Sequence, residues 1–274
     1  MARTPLGGAF DQRLSAWRPS VPGVAEVLHA RFLAHAYPAH THEAWTLLIV
    51  DDGMIRYDLN RHDHGAVIPA VTLLPPHVPH DGRTVTEKGF VKRVVYLDAG
   101  VVGEALVGAA VDQPTLIDPL LRRRVDQLHR ALSCPGEELH AESRLALIVE
   151  RLRLHLQPAI PALIEPPPRH LARDLRDLLD AHTVTGISLD QAAQQLHAHP
   201  THLVRAFAAA YGLPPHAYLT GRRIDRARSL LLAGRSAAQV ANEVGFYDQA
   251  HLNRHFKRYL GTTPVRFLRA NRQH

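Results

Sequence analysis

One residue pattern occurs twice in the C-terminal third of the chain, and it constrains the fold more than any other feature. In each copy, two short apolar-periodic segments are separated by a break and followed by a glycine. The copies lie roughly 48 residues apart. A repeat of this kind predicts two copies of one small helical unit. The equivalent positions are Ala193 and Ala241, Leu196 and Val244, Leu203 and Leu252, Arg205 and Arg254, Phe207 and Phe256, and Gly212 and Gly261.

Each copy has the signals of a helix-turn-helix motif. Ser188 and Ser236 precede the first helices as N-caps, and Gly212 and Gly261 follow the second helices as C-caps. Gly245 lies at the turn of the second copy, where a positive φ lets one helix bend onto the other without a steric penalty. The spacing therefore predicts two helix-turn-helix motifs in sequence.

The second helix of each copy carries polar and cationic side chains near its N-terminus. In a helix-turn-helix motif this part of the helix enters the major groove, where Asn contacts adenine, Arg contacts guanine, and cations hold phosphates. For Arg205 and Arg254, packing or a phosphate contact is the alternative to base reading. The candidates are Thr201, His202 and Arg205 in the first copy, and His251, Asn253 and Arg254 in the second.

The charge distribution favours the same function. Residues 169–274 contain 15 Lys and Arg against 7 Asp and Glu, whereas the chain as a whole has a net charge of only +6. A basic module attached to a near-neutral body is typical of nucleic-acid binding. Cys134 is the single cysteine, which excludes an internal disulfide and a cysteine metal cluster. No apolar run is long enough to cross a bilayer, and no signal peptide is recognised, so we expect a cytoplasmic protein.

The N-terminal half has the signals of a β-rich domain. Apolar or β-branched segments at Ala25–Phe32, Ala44–Val50, Gly53–Asn60 and Phe90–Leu97 are bounded by turn residues. Many short strands at near-regular spacing predict a small barrel or a sandwich. Residues 1–20 have no such signals, and we predict a disordered N-terminal arm.

Two amphipathic helices follow the predicted strands, between residues 118 and 156. The first carries an apolar stripe that includes Leu120, Leu121 and Leu128; the second carries one that includes Leu145 and Ile148. These stripes have two interpretations, which are equally favoured: core helices of the same domain, or a surface that pairs two chains in a homodimer. Residues 158–168 are rich in proline and predict an extended linker.

Residues 170–270 resemble the DNA-binding domain of the AraC/XylS family of bacterial transcription regulators. The resemblance implies seven helices, with two recognition helices entering successive major grooves. It adds Val204, Asp248, Gln249, Lys257 and Arg258 to the candidate DNA-binding residues; apolar Val204 would read thymine methyl groups, or its helix would only position the protein. His197 stands where the family has glycine. The carrying residues are Leu189, Ala193, Leu203, Arg205, Phe207, Gly212, Tyr218, Arg223, Val240, Ala241, Gly245, Phe246, Gln249, Arg254, Phe256, Lys257, Gly261, Thr263 and Pro264.

The segments His40-Thr-His-Glu43 and Leu74-Pro-Pro-His-Val-Pro-His80 resemble the cupin-type sensor domain of regulators in that family. Such a domain implies a β-barrel with a small-molecule cavity in its mouth. We assign His40, His42, His80 and Trp45 to the effector pocket. The three histidines could also hold a divalent metal, but the carboxylate that completes such a site in cupins is out of place. We therefore expect no metal cofactor.

The sequence thus predicts an α+β protein, with a cupin-like β-barrel and two helices followed by an all-α DNA-binding domain. The domains are an arm at 1–20, a sensor and dimerisation domain at 21–157, a linker at 158–168 and a DNA-binding domain at 169–274. The predicted function is sequence-specific transcription regulation under a small-molecule effector, without enzymatic activity. Its partners would be double-stranded DNA, the effector, RNA polymerase if it activates, and a second copy through 118–156. The alternatives are a metal-dependent cupin enzyme fused to a DNA-binding domain, and a regulator without an effector.

Overall fold

A computed structural model describes residues 13–33, 36–157 and 169–271. The N-terminal part contains ten strands. They are β1 (Arg13–Trp17), β2 (Val24–Phe32), β3 (Ala36–His40), β4 (Trp45–Gly53), β5 (Ile55–Leu59), β6 (His62–Ala66), β7 (Val71–Leu74), β8 (His80–Thr84), β9 (Phe90–Leu97) and β10 (Thr115–Leu116).

These strands form two antiparallel sheets that share one core. One sheet has the order β1-β2-β9-β4-β7-β10 and the other the order β3-β8-β5-β6. Leu48 of β4 and Val94 of β9 belong to the same buried cluster as Ile55, Tyr57 and Leu59 of β5, so the sheets face each other across apolar side chains. The prediction of a small β-barrel or sandwich is confirmed, and all four predicted strands are present.

The N-terminal arm differs from the prediction. We expected residues 1–20 to be disordered, but Arg13–Trp17 forms the edge strand β1, which pairs antiparallel with β2. Backbone hydrogen bonds to β2 hold this strand, and the Trp17 ring packs edge-on against His29 with 5.0 Å between ring centroids. A strand whose side chains are mostly exposed has no apolar alternation for sequence analysis to detect. Residues 1–12 lie outside the described part of the chain.

Helices make up the remainder of the described chain. Between β9 and β10 lie α1 (Ala99–Val102), a 3₁₀ turn (Glu104–Leu106) and α2 (Val107–Asp112). A helical hairpin follows, formed by α3 (Pro119–Leu132) and α4 (Glu138–Leu156). The C-terminal helices are α5 (Arg169–Ala181), α6 (Leu189–Gln195), α7 (Pro200–Tyr211), α8 (Pro215–Leu232), α9 (Ala237–Glu243), α10 (Gln249–Leu260) and α11 (Pro264–Asn271). No helix among the described residues is both long and apolar enough to span a membrane.

A buried carboxylate joins α3 to α4. Asp118 accepts hydrogen bonds from the amides of Leu120 and Leu121 at the start of α3, and from Arg151 and His155 of α4. Burial by itself would raise the pKa of Asp118, but the hydrogen bonds from Arg151, His155 and Leu121 outweigh it and hold the pKa well below its usual range. The stripe of α3 is mostly buried, including Leu121 and Leu128, as the core-helix interpretation predicts.

The described residues form two compact units. One contains the strands with the chain up to His129 and the end of α4 from Ile148; the other contains residues 130–147 and α5–α11. The second unit therefore includes a segment that precedes the predicted linker. The predicted domain boundaries at residues 157 and 168 border residues outside the described ranges, and they remain predictions.

The second unit contains the two predicted motifs. Among the described residues from 169 onward there are seven helices, α5–α11, which is the number that the family resemblance implies. The Ser188 and Ser236 side chains each accept a hydrogen bond from the amide of the third helical residue. In return, the amides of the two serines donate to the side-chain oxygens of Gln191 and Gln239, so both helices begin with a capping box. The second helices end at Gly212 and Gly261, both in the left-handed region. These predicted caps are confirmed.

The turns of the two motifs have equivalent backbones but different residues. Gly245 has φ +90°, and His197, at the equivalent position, has φ 48°. A Cβ at Gly245 would lie 2.3 Å from the carbonyl oxygen of Val184, which is backbone and cannot rotate away. Glycine is thus required at the second turn both by its φ and by the close approach of another chain segment.

Residues 130–147 are fixed to the motifs by polar contacts as well as by apolar packing. The Glu142 carboxylate accepts a hydrogen bond from the amide of Leu189, at the start of α6, and the Thr201 hydroxyl donates to the carbonyl of Ala146 at 3.3 Å. Leu139 and Leu147 pack against the core of the first motif. Burial raises the pKa of Glu142 to about 7, against the opposing effect of the backbone hydrogen bond from Leu189.

Gly245→Ala should destabilise the protein strongly. Left-handed φ costs a residue with a Cβ about 1–2 kcal/mol, and forcing atoms into the Val184 carbonyl adds about 1–3 kcal/mol. Gly212→Ala is the matched control, because Gly212 has φ +72° but no atom within 4 Å of the added Cβ. Thermal unfolding of the two variants should show the larger loss for Gly245→Ala. Equal losses would contradict the close approach at Gly245.

Glu142→Gln should change how stability depends on pH. The folded-state pKa of about 7 lies above the usual 4.5, so the stability that protonated Glu142 contributes is present at low pH and is lost as pH rises through 7. Glutamine cannot ionise and keeps an oxygen for the Leu189 amide. From pH 5 to pH 8 the stability of Glu142→Gln relative to the unmodified chain should rise by about 1–3 kcal/mol, measured by urea unfolding. If Glu104→Gln, a change at an exposed position, does the same, burial of Glu142 is not the cause.

Candidate functional site

The second recognition helix, α10, presents a polar and cationic surface. Asp248 caps it by accepting a hydrogen bond from the amide of His251 at 2.6 Å. Asp248 itself is exposed, as are Gln249, Arg254, Lys257 and Arg258. Five of the predicted DNA-binding residues are therefore accessible on one helix. Their functional groups include an amide and three cations, which suit base edges and phosphates.

The two remaining candidates of α10 are placed differently. His251 is buried: its Nδ1 accepts a hydrogen bond from the Tyr247 amide at 3.2 Å, and its ring packs edge-on against Phe246. Burial lowers the pKa of His251 to about 4, so the ring is neutral at physiological pH. Asn253 is half-buried, and its Oδ1 has no hydrogen-bond partner among the described residues. The prediction that His251 contacts DNA does not agree with its burial, because its ring faces the protein interior.

The first recognition helix, α7, offers less to a ligand than the sequence predicts. Thr201 and Val204 are buried, at 2% and 3% exposure, which leaves His202 exposed and Arg205 half-buried. Thr201 faces Ala146, and Val204 belongs to the apolar core of the motif. These placements do not agree with the prediction that Thr201 and Val204 contact DNA. Thr201 is covered by residues 130–147, through Ala146, whereas Val204 is buried in the core of the motif itself.

A carboxylate that sequence reasoning missed lies beside α10. Glu137, in the loop between α3 and α4, accepts a hydrogen bond from His255 Nε2 at 2.8 Å and lies 3.6 Å from the guanidinium of Arg254. Burial alone would raise the pKa of Glu137, but His140 and His255 outweigh it and hold the pKa well below its usual range. Local sequence gives no signal for this contact, because the loop and α10 are more than a hundred residues apart.

The β-domain contains a small cavity of about 100 Å³. His40, His42 and His80 line one side of it, with ring centroids 4.6–5.1 Å apart. The Thr46 hydroxyl, which also lines the cavity, is buried without a hydrogen-bond partner among the described residues. The other lining residues are mostly apolar: Leu28, Leu48, Ile55, Tyr57, Ala66, Thr72, Leu74, Asp81, Gly82, Lys92, Val94 and Tyr96.

Trp45 is not part of this cavity, which corrects its assignment to the effector pocket. The side chain is fully buried, and its indole Nε1 donates a hydrogen bond to the carbonyl of Ala99 at 3.0 Å. Trp45 alternates with Thr46 along β4, and only Thr46 faces the cavity. Successive side chains of a strand point to opposite faces, so the register of β4 excludes Trp45 from the pocket.

The three histidines of the cavity fit a divalent metal. Their ligand atoms all lie within 4.8 Å of one another. His40 and His80 each direct Nδ1 to a backbone carbonyl, of Pro38 at 2.7 Å and of Val78 at 3.0 Å, which leaves the proton on Nδ1 and makes Nε2 the ligand atom. Burial lowers the pKa of His42 to about 4 and lowers that of His80 as well. Neutral imidazoles are the form that binds metal.

His77 lies beside the cavity histidines, and Lys92 lines the cavity. His77 has φ 61°, in the left-handed region, and donates its amide hydrogen to the carbonyl of His42 at 2.8 Å. It therefore occupies a turn position next to His42. Lys92 lines the cavity, and burial lowers its pKa to about 8. The site therefore combines three imidazoles, one lysine, one aspartate and mostly apolar walls.

Each half of the chain matches the model of a known protein family. Residues 22–149 match the model of the AraC-like ligand binding domain, and residues 192–270 match that of a helix-turn-helix domain. An uncharacterised HTH-type transcriptional regulator of Bacillus subtilis, YbfI, is 22% identical over 235 residues, which are 83% of this chain and 85% of that protein.

Other relatives match over shorter stretches. The arabinose operon regulatory protein of Escherichia coli is 28% identical over 134 residues, which are 48% of this chain and 46% of that protein. The virulence regulon transcriptional activator VirF of Yersinia enterocolitica is 31% identical over 91 residues, 33% of this chain and 34% of that protein.

Among solved structures, an apo form of the ToxT protein of Vibrio cholerae is 12% identical and covers 92% of this chain and 98% of its own, with a TM-score of 0.38. The AraC-like transcriptional activator CuxR is 14% identical and covers 82% and 85%, with a TM-score of 0.44. Both TM-scores are too low to support a functional comparison. The two family matches, with the cavity and the paired motifs, establish the assignment: the chain belongs to the AraC family, as a DNA-binding transcriptional regulator with an AraC-like ligand-binding domain followed by a helix-turn-helix domain.

Proposed function

We propose that the chain reads its DNA site chiefly through α10 and uses α7 to position itself on the duplex. The exposed side chains of α10 carry this proposal. Gln249, near the helix N-terminus, and Arg254, one and a half turns further on, are the base-reading residues. Lys257 and Arg258, at the C-terminal end of the helix, hold phosphates.

The first motif contributes fewer contacts in this proposal. His202 and Arg205 remain on the accessible part of α7. The buried Val204 cannot reach a thymine methyl, so of the two roles that the sequence allowed for α7, positioning is favoured. Specificity should then be greater in the half of the operator that α10 contacts.

Arg254→Ala should weaken specific DNA binding. Loss of a base-reading Arg costs about 1–3 kcal/mol and relaxes specificity at one base pair, whereas loss of a phosphate contact weakens all sequences alike and reduces the salt dependence by about one ion. Arg173→Ala is the matched control, because Arg173 is exposed on α5, outside both motifs. Binding of the full chain to fragments selected from genomic DNA, measured at two salt concentrations, separates these outcomes. If affinity and salt dependence stay unchanged, Arg254 is not part of the interface.

We also propose that the effector is a small organic anion held in the cavity of the β-domain. A volume of about 100 Å³ admits a molecule of only a few non-hydrogen atoms. Lys92 and the imidazoles suit a carboxylate, and the unpartnered Thr46 hydroxyl suits a second polar atom. The histidines also fit a divalent metal, which would supply a Lewis-acidic contact for the same anion.

Short-chain carboxylates should therefore raise the melting temperature of the full chain, and the corresponding amides should not. A ligand at a hundred times its Kd stabilises a protein by about 2.7 kcal/mol. Lys92→Met should abolish the shift, because it removes the cation and keeps most of the stem. Lys88→Met, at an exposed position outside the cavity, should leave it intact. A shift that persists in Lys92→Met would place the anion elsewhere.

The remaining partners belong to the same proposal. Ile117, Leu120 and Leu154 are exposed at 75%, 37% and 49%, beside the Asp118 cluster that joins α3 and α4. This apolar surface supports a homodimer through residues 118–156, which sedimentation of the full chain tests.

VirF is named an activator, and we propose that this chain likewise activates transcription through RNA polymerase in the cytoplasm. It would act by binding alone, without catalysis; turnover at the three cavity histidines would favour the enzyme alternative.

A further inference from the structure

A second group of potential metal ligands lies beside α10, far along the chain from the cavity histidines. It consists of Glu137, His251 and His255, whose ligand atoms all lie within 4.8 Å of one another. The two histidines occupy consecutive turns of α10, and Glu137 comes from the loop between α3 and α4. All three belong to the same compact unit.

The side chains converge on one point. Glu137 Oε1 lies 2.8 Å from His255 Nε2 and 3.9 Å from His251 Nε2. Donors around a tetrahedral zinc ion are about 3.4 Å apart, so small side-chain movements would place these atoms at bonding distance. The group is also sheltered from water, with 14% of the Glu137 side chain exposed, 5% of His251 and 6% of His255.

The chemistry of the donors suits a transition metal. Two histidines spaced i, i+4 on a helix present both rings to one ion, and a carboxylate from another segment completes three protein ligands. Imidazole nitrogens with one carboxylate oxygen suit zinc and its neighbours rather than magnesium or calcium, which require oxygen ligands. Three protein ligands leave a fourth position for water or another group.

In the metal-free state, protons occupy the positions where a metal would bind. His255 donates Nε2–H to the carboxylate, and its Nδ1 is buried without a partner among the described residues. His251 accepts the Tyr247 amide hydrogen at Nδ1, so its Nε2 also carries a proton toward Glu137. Ligation through Nε2 moves each ring proton to Nδ1. In His251 the proton at Nδ1 ends the 3.2 Å hydrogen bond from the Tyr247 amide, and the metal bond at Nε2 replaces that hydrogen bond in holding the ring.

The backbone of the loop approaches the cluster closely enough to hold it in place. A Cβ at Gly136 would lie 2.3 Å from Cε1 of the His251 ring, so the main chain of the loop lies directly against that ring. On the other side, His140 Nδ1 lies 3.5 Å from Glu137 Oε2 and restrains the carboxylate. Both restraints come from residues 130–147.

We propose that Glu137, His251 and His255 form a binding site for a divalent transition metal of the zinc class, which ties the α3–α4 loop to the second recognition helix. This site is separate from the cavity histidines and involves different residues. Its existence does not depend on which bases the chain reads.

The metal has a consequence for Arg254, and this part rests on the proposed function. Without metal, the Arg254 guanidinium lies 3.6 Å from Glu137 Oε1 and pairs with its charge. A divalent cation on the same oxygen replaces that pairing and repels the guanidinium, which turns outward on an exposed part of α10. Arg254 is then available to DNA, so metal binding should strengthen DNA binding.

The first experiment measures metal binding alone, with zinc in calorimetry and cobalt in absorption spectroscopy, on the full chain. Glu137→Gln and His255→Gln remove ligands of the proposed site, and His42→Gln removes one from the cavity group. His170→Gln, at an exposed position of α5, is the control for loss of a histidine. Circular dichroism confirms folding of each variant, and Glu137→Gln, which keeps the size of the side chain, is the principal test if His255→Gln unfolds.

The proposal predicts a cobalt spectrum of a site with nitrogen and oxygen ligands that disappears in Glu137→Gln and His255→Gln. The same spectrum should persist in His42→Gln and His170→Gln. A spectrum that Glu137→Gln leaves unchanged, or one lost only in His42→Gln, overturns the site. So does the absence of saturable zinc binding.

The second experiment compares DNA affinity with zinc and with a chelator. Zinc should raise the affinity of the unmodified chain by about 5-fold or more, the lower end of the value of one base contact, and should have no effect on Arg254→Ala or Glu137→Gln. An unchanged affinity in a zinc-loaded chain overturns the link to Arg254 and leaves the metal site intact. If Arg254→Ala has no effect on DNA binding at all, the proposed function fails instead, and the cobalt experiment still decides the site.

Discussion

The C-terminal unit depends on carboxylates that are buried in the segment 130–147. Glu142 accepts a hydrogen bond from the amide of Leu189, which lies in the first turn of α6, and Glu137 accepts one from the ring N–H of His255 on α10. Removing a carboxylate from water is costly unless hydrogen bonds replace those of the solvent. The hydrogen bonds outweigh burial at Glu137, whereas at Glu142 burial prevails and raises the pKa to about 7. Glu142 is held by the first motif and Glu137 by the second. One segment thus fixes both motifs, and the exposed face of each recognition helix is what this segment leaves uncovered.

Local patterns predicted the local structure well. The capping serines, the C-terminal glycines and the special backbone at His197 and Gly245 depend on a few adjacent residues, and all are present. The strands with apolar alternation were also identified. Among the missed strands, β6 reads HDHGA and β8 reads HDGRT, which have no such alternation, and tertiary pairing alone makes them strands. The short apolar strand β7, which reads VTLL, was also missed.

Burial of the candidate site residues could not be predicted, because it depends on contacts between distant parts of the chain. Thr201 and His251 stand in helix positions that the motif pattern predicts to face DNA. Here Thr201 faces the Ala146 carbonyl and His251 faces the loop at Gly136. Helical periodicity predicts on which side of a helix a residue lies, but it does not predict which other part of the chain covers that side. In the β-domain the three histidines line the cavity, whereas Trp45 does not, since one residue of register along β4 moves a side chain to the opposite face.

Segment 130–147 also determines how this regulator can be divided. By sequence, all of it lies within the match to the ligand-binding domain, which extends to residue 149, yet it packs with the helices that follow the predicted linker. A fragment that begins at Arg169 would leave the Leu189 amide without its acceptor and would uncover the apolar surface on which Leu139 and Leu147 pack. A chimaera that grafts this DNA-binding half onto a foreign sensor therefore has to include residues 130–147. A junction in the proline-rich linker would produce a protein prone to aggregate.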